Sequence, residues 1–452
     1  MDSSLSYPER HPLVITLRAT ALAAAIALLA ACGGNDDDAA PAAPAEDQAD
    51  AATLAALSSL TSDVDAQLRA RGVATVNAPD TPPTDSPAGA PAHGWFPGVA
   101  QTNLVANRPE YNAQIVDPDL INPWGIAIRP AGFGGHFWFA SAGSGKSIQY
   151  VGDVGGVPLF QDELKVIDTL GPSSGTAFNP GSNFVITQEH ANGAITAPTK
   201  FFFANLSGTV TAWTERPRAG GGFDHPLDSV PVIDGTARHS SFIGVTVAPG
   251  AERLLVADFG AEAELRVYNG AFAEQAPMEN PFRKAGAQPG GFEAFNVQTL
   301  GQSIFAMYGR HVPPGTSPLP AEGRLAEFDA QGRLVAKWAG RGLLNYPWGV
   351  AMAPQNYGLY SNCLLVGNFG DGTVVAFHPR YKVAIDYVRD DRGRRVVLDG
   401  LWGLQFGNGA SLGEANHMYF AAGPNRETDG LVGKLEANPR TLPYIGGISL
   451  CH

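Results

Sequence analysis

One recurring pattern restricts the fold of this chain more than any other feature: a short pair, usually ending in Gly, that leads into an apolar alternation. It is clearest in INPWGIAIRP (121–130), NYPWGVAMAP (345–354) and GLWGLQFGNG (400–409), and weaker in SSGTAFNPG (173–181), FIGVTVAPG (242–250) and FNVQTLGQ (295–302). Marked at Trp124, Ser174, Ile243, Asn296, Trp348 and Trp402, the six units stand roughly 50 to 70 residues apart. Each is followed by a second alternating run, a Gly-bearing turn and a third run, as in LLVGNFGDGTVVAF (364–377). A unit of three or four short strands cannot bury its faces alone, whereas units set radially bury them against one another. The pattern predicts an all-β, six-bladed β-propeller over residues 95–452, with Asn103–Val105 or Ile115–Val116 supplying an outer strand to the last blade. The 54 Gly and 35 Pro agree with many turns and few long helices.

The repeat also disposes of a misleading motif. Ala140-x4-Gly145-Lys146-Ser147 nearly matches a phosphate-binding loop, which needs a helix after the Lys so that its N-terminal N–H groups meet the phosphates. The residues that follow, SIQYVGDVGGV, alternate as a strand and carry three glycines. GKS is read as the turn between the second and third strands of the first blade, with no nucleotide bound. A net charge of −13, without a basic stripe, speaks against nucleic acid.

The N-terminus has Arg10, His11 and Arg18, then an apolar run from Ala19 to Ala31 that is too short to span a bilayer as a mature helix. Leu29-Ala30-Ala31-Cys32 resembles the bacterial lipobox, so residues 1–31 are read as a lipoprotein signal and Cys32 as the lipidation site. Gly33 rather than Asp follows the Cys; in a Gram-negative cell this implies an outer-membrane or cell-envelope lipoprotein facing the periplasm or exterior. Residues 32–94, rich in Ala, Asp and Pro, read as a tether, within which 51–71 has the pattern of a short amphipathic helix ordered against the main domain. Cys363 and Cys451 either pair in an oxidising compartment or stay as buried thiols.

The segments NPWGIAIRP, PWGVAMAP, LLVGNFGDGTVVAF, DGLWGLQFGNG and YFAAGPNRETDGLVG resemble a family of bacterial exported six-bladed propellers, with blades similar to NHL repeats, across about residues 98–436. The resemblance implies a fold and carries no activity.

In such a ring the turn entering each innermost strand and the turn between strands two and three share one face. That mouth is expected to gather Asn122, Ser174, Ser241, Asn296, Asn345 and Asp399 with Asp258, Asn368 and Asp371, an oxygen-rich set able in principle to hold Ca²⁺. Asx residues at such positions also hydrogen-bond their own turns. Trp124, Trp348 and Trp402 are expected to pack between neighbouring blades. His239, beside Ser240 and Ser241, is the one candidate general base, and Gly423–Gly430 a polar turn with Arg426, Glu427 and Asp429.

Three functions compete: a membrane-tethered module binding a protein, glycan or small ligand; a hydrolase resembling the six-bladed Ca²⁺-dependent lactonases, whose early Glu this chain lacks; and, last, a quinone-dependent redox propeller, for which the arginines are too scattered.

Overall fold

The computed structural model describes residues 47–71, 96–284, 290–311, 322–438 and 447–452. Residues 1–31, read above as a signal, Cys32 and most of residues 32–94, read as a tether, lie outside the described residues.

Six antiparallel sheets radiate from one axis. Their innermost strands are Pro123–Ala127, Ser173–Phe178, Phe242–Val247, Phe292–Leu300, Pro347–Met352 and Leu401–Phe406, in blades 1 to 6. Each packs on the next, and blade 6 on blade 1, so the ring is closed. The GKS sequence is the hairpin between Phe137–Ser141 and Lys146–Tyr150 of blade 1, where the Lys146 Nζ lies 2.7 Å from an Asp119 carboxylate oxygen.

Blade 6 is completed from the other end of the propeller. Val99–Ala106 pairs antiparallel with Leu431–Ala437, setting Val99 opposite Ala437, and Ile115–Val116 adds a parallel fifth strand outside it. Both segments named from the sequence therefore belong to this sheet.

The small residue in each repeat is explained by how closely the inner strands approach. A Cβ at Gly125 would lie 2.7 Å from the Thr176 backbone N of blade 2, and one at Gly403 would lie 2.4 Å from the Trp124 carbonyl of blade 1. In blade 4 this place is held by Asn296, whose Nδ2 donates to the Trp348 carbonyl at 2.8 Å. The residue equivalent to Trp124 is thus Phe295, which corrects the register of the fourth repeat by one.

Free edges of the inner strands are stitched by neighbouring side chains. Ser174 Oγ donates to the Phe242 carbonyl (2.7 Å), Trp348 Nε1 to the Ile243 carbonyl (2.9 Å) and Thr299 Oγ1 to the Val247 carbonyl (2.9 Å).

Residues 47–71 are docked on the propeller. Helix α1, Ala51–Ala70, starts on Asp50, whose carboxylate accepts from Thr53 N at 2.7 Å. Leu57, Val64 and Leu68 share one helical face and are buried in a cluster with Tyr357, Tyr360 and Cys451. Upstream, buried Asp47 accepts from the Gly340 and Gly342 amides at 2.7 and 2.8 Å. Cys363 and Cys451 are joined in a disulfide, Cα–Cα 5.2 Å, beneath this helix cluster.

Candidate functional site

The upper face, where the inner strands begin, carries Asn122, Ser241, Asn345 and Asp399 with Asp258, Asn368 and Asp371. Ser174 instead lies buried within the inner strand of blade 2, and Asn296, expected at this mouth, lies mid-strand in blade 4 and lines the cavity at the other end of the channel, because it takes the place that Gly holds in the other blades. The oxygens of Asp258, Asn368, Asp371 and Asp399 are engaged in holding turns. Fully buried Asp258 accepts from Ser241 N (3.0 Å), Gly260 N (2.9 Å) and the Arg266 guanidinium (2.7 Å). Asn368 accepts from Asn345 N (3.0 Å) and donates to the Leu343 carbonyl (2.8 Å) and Thr373 Oγ1 (2.9 Å). Asp371 takes Thr373 N (3.0 Å) and the Asn345 side chain (3.2 Å), and Asp399 takes Asn425 N (3.0 Å). These are Asx-type turns, repeated because blades repeat.

The structure brings Asn345, Asn368 and Asp371 together in blade 5 but keeps them apart from Asp258 of blade 3. Among the described residues no three His, Cys, Asp or Glu side chains converge to hold a metal. Calcium needs six to eight oxygens with lone pairs to spare; oxygens already holding backbone amides and a guanidinium do not fit it. His239 is exposed, in the left-handed conformation that closes a short 3-10 turn (φ 53°), and among the described residues its ring has no hydrogen-bonded acid.

The centre of this face is shut. Trp124 and Trp402 stack with centroids 3.4 Å apart, Trp348 meets both edge-on at 6.2 and 5.9 Å, and Phe369 stacks on Trp402 at 3.8 Å. Phe295 of blade 4 reaches Trp402 of blade 6 at 6.1 Å. Contacts that skip a blade lie across the axis, so these rings form a stopper. The tryptophans do pack as core between neighbouring blades, 6 on 1 and 5 on 6, but they also meet across the axis, which the sequence reading did not expect: channel-filling is what lets residues from blades 1, 4, 5 and 6 meet.

Asn122 links the stopper to the late polar turn. Its Oδ1 accepts from Trp402 Nε1 (3.1 Å) and its Nδ2 donates to Glu427 Oε2 (2.8 Å). Asn425, Arg426 and Glu427 are all left-handed, with φ of 55°, 55° and 65°, a strained run for residues with Cβ atoms. Burial pushes the Glu427 carboxyl up to about 7, against the lowering effect of the Asn122 bond. Asp429 faces the other way and pairs with Arg108 (2.8 Å) and Tyr111 (2.8 Å) of the ring-closing segment.

The open end of the channel is the opposite, lower mouth. A cavity of about 240 Å³ runs between the second halves of the inner strands. Trp348 forms part of its floor; Thr176, Thr246, Gln298, Thr299 and Gln405 supply polar walls, and no lining residue is ionisable. Gln298 and Gln405 also border a groove of about 460 Å³ beside Phe305, Trp338 and Met352, whose wall includes Glu327 and Lys382, paired with each other at 2.7 Å. Blade 2 adds two hairpins on this face, Val185–Gln188 with Ile195–Pro198 and Arg216–Pro217 with Phe223–Asp224, locked together through Arg216, Asn192 and Asp224. These wall residues went unnoticed in the sequence because threonine and glutamine at alternate strand positions look like ordinary strand filler.

No family model matches the chain. It is 30% identical to Uncharacterized protein R648 of Acanthamoeba polyphaga mimivirus over 351 residues, 74% of this chain and 78% of the relative. It is 28% identical to Uncharacterized protein L690 of the same virus over 344 residues, 74% of this chain and 84% of the relative. Among solved structures, the Neurospora crassa Pan2 WD40 domain aligns with a TM-score of 0.41 at 10% identity, over 75% of this chain and 96% of that one. On the strength of the match along three quarters of its length, the chain belongs to the same protein family as mimivirus R648, and it is a six-bladed β-propeller.

Proposed function

We propose that this propeller is an exported, lipid-anchored binding module whose ligand enters at the lower mouth. The observation that carries the binding half is the cavity's lining: it contains no acid, base or thiol, so it can hold a molecule and has nothing with which to transfer a proton from it. The lipobox-like Leu29-Ala30-Ala31-Cys32 and the Cys363–Cys451 bridge support export and anchoring, with NHL-like repeats as the blade type. The calcium-dependent hydrolase is set aside because the upper carboxylates are spent on turns and on Arg266.

Two measurements test this. Labelling cells that produce the chain with radioactive palmitate is expected to mark it, and Cys32→Ala is expected to abolish the label; an unlabelled, soluble product overturns the anchor. A chromogenic ester and lactone screen is expected to show no turnover, and hydrolysis lost in His239→Ala or Asp258→Ala overturns the binding reading.

A further inference from the structure

The lower cavity combines three properties: it is narrow, its wall carries amides and hydroxyls, and it contains no charge. Its volume equals the liquid share of about eight waters. Gln298 accepts from Val350 N at 3.3 Å through its carbonyl, which leaves its NH₂ group available as a donor. Gln405 donates to the Phe406 carbonyl at 2.9 Å, which leaves its own carbonyl as an acceptor. The two glutamines border both the channel and the groove beside Trp338, so a ligand running from one into the other passes a donor and an acceptor.

These properties discriminate among ligand classes. A peptide entering end-first carries an ionised terminus into a channel with no counter-charge, and in the groove Glu327 and Lys382 already neutralise each other. An acyl chain would cover the Thr and Gln groups without replacing their hydrogen bonds to water. A phosphorylated or carboxylated ligand meets the first objection and the chain's overall negative charge as well. A neutral chain of sugars meets neither: its hydroxyls answer the wall, and its apolar ring faces suit the Trp348 floor.

We propose that the lower channel and its adjoining groove receive the end of an uncharged oligosaccharide, with Gln298 and Gln405 as the orienting pair. This rests on the lower mouth being the binding site.

The test uses the full chain carrying Cys32→Ala, titrated by calorimetry and saturation-transfer NMR with neutral hexasaccharides of glucose and of N-acetylglucosamine, with hexagalacturonate, and with free and terminally capped hexapeptides. At least one neutral sugar is expected to bind, hexagalacturonate at least 100-fold more weakly. Gln298→Ala and Gln405→Ala are each expected to weaken the neutral sugar about three- to tenfold, the loss of one hydrogen bond, with the circular dichroism and unfolding midpoint kept. Gln405→Trp, which fills the channel, is expected to remove binding. Equal binding of hexagalacturonate overturns the uncharged-ligand inference. A capped peptide that binds where sugars fail, and is lost in Gln405→Trp, overturns the sugar while retaining the lower mouth. Absence of any binder sensitive to Gln405→Trp overturns both.

Discussion

The indoles of Trp124 and Trp402 lie 14° from parallel with centroids 3.4 Å apart, joining the first and last blades at the axis. Because both are fully buried, Trp402→Ala is expected to cost about 3–5 kcal/mol in guanidinium unfolding. The Trp124→Ala/Trp402→Ala pair is expected to cost less than the sum of the singles by about 1 kcal/mol, the coupling of a contacting aromatic pair. Strict additivity would mean that the two rings are held independently.

Asp258 is expected to behave as a structural carboxylate. Asp258→Ala leaves buried Arg266 without one of its partners, although Glu274 still reaches the guanidinium at 3.0 Å. The expected loss is about 3–5 kcal/mol of stability, with no change in calcium affinity. Calcium calorimetry on the full chain is expected to give no saturable heat that depends on Asp258 or Asn368.

Glu427 makes stability depend on pH in an unusual direction. Its folded carboxyl titrates near 7, above the ordinary 4.5, so between those values the folded state binds more protons than the unfolded one. Its contribution is therefore fully present below about 4.5 and lost as pH rises through 7. Comparing Glu427→Gln with the parent across pH 4 to 8 isolates it from other carboxylates. The variant is expected to gain relative stability with rising pH, by about 3 kcal/mol at pH 8. A pH-independent difference would show that Glu427 is solvated.

The bridge between Cys363 and Cys451 closes a separation of 88 residues. Replacing both by Ala is expected to lower stability by about 2–4 kcal/mol. Mass spectrometry of the native chain before and after reduction is expected to differ by two hydrogens.

Asp47 clasps the segment ahead of α1 to blades 4 and 5. Removal of its carboxylate in Asp47→Ala frees the Gly340 and Gly342 amides, and their hydrogen exchange is expected to accelerate. Cleavage within 47–71 by a dilute protease is expected to rise with it, reporting a local loss of about 1–3 kcal/mol. Unchanged exchange at both glycines would show that the helix alone holds the segment.

The blades were legible because their signal is repeated: an alternation and a turn recur six times and a glycine five, and one poor copy does not hide the others. The single-residue slip at Asn296 came from the same reliance on pattern, since Asn occupies the place that Gly holds elsewhere and Phe295 stands where Trp is expected. What faces the axis was harder to see. Whether Trp124 points between blades or across the channel depends on the radial arrangement of all six strands, which no local window contains. For the same reason the oxygen-rich upper turns looked like a mouth, although the centre of that face is aromatic. Gln298 and Gln405 belong to different blades and become neighbours only on closure. Asp47 resembled the acidic residues around it in the Ala- and Asp-rich N-terminal stretch, and nothing local marks it as the one inserted beneath a loop almost three hundred residues away.

The pairing of Val99–Ala106 with Leu431–Ala437 also sets an order of events during synthesis. The earlier strand leaves the ribosome as an unpaired edge, and its partner follows more than three hundred residues later. At ordinary elongation rates that is roughly 20 to 70 s. Blades 1 to 5 each contain all their own strands and can collapse as they emerge, whereas the sixth stays unfinished to the last. Throughout that interval an exposed edge is available to any other nascent chain, so truncation near the C-terminus would leave an open arc that is prone to associate rather than a smaller propeller.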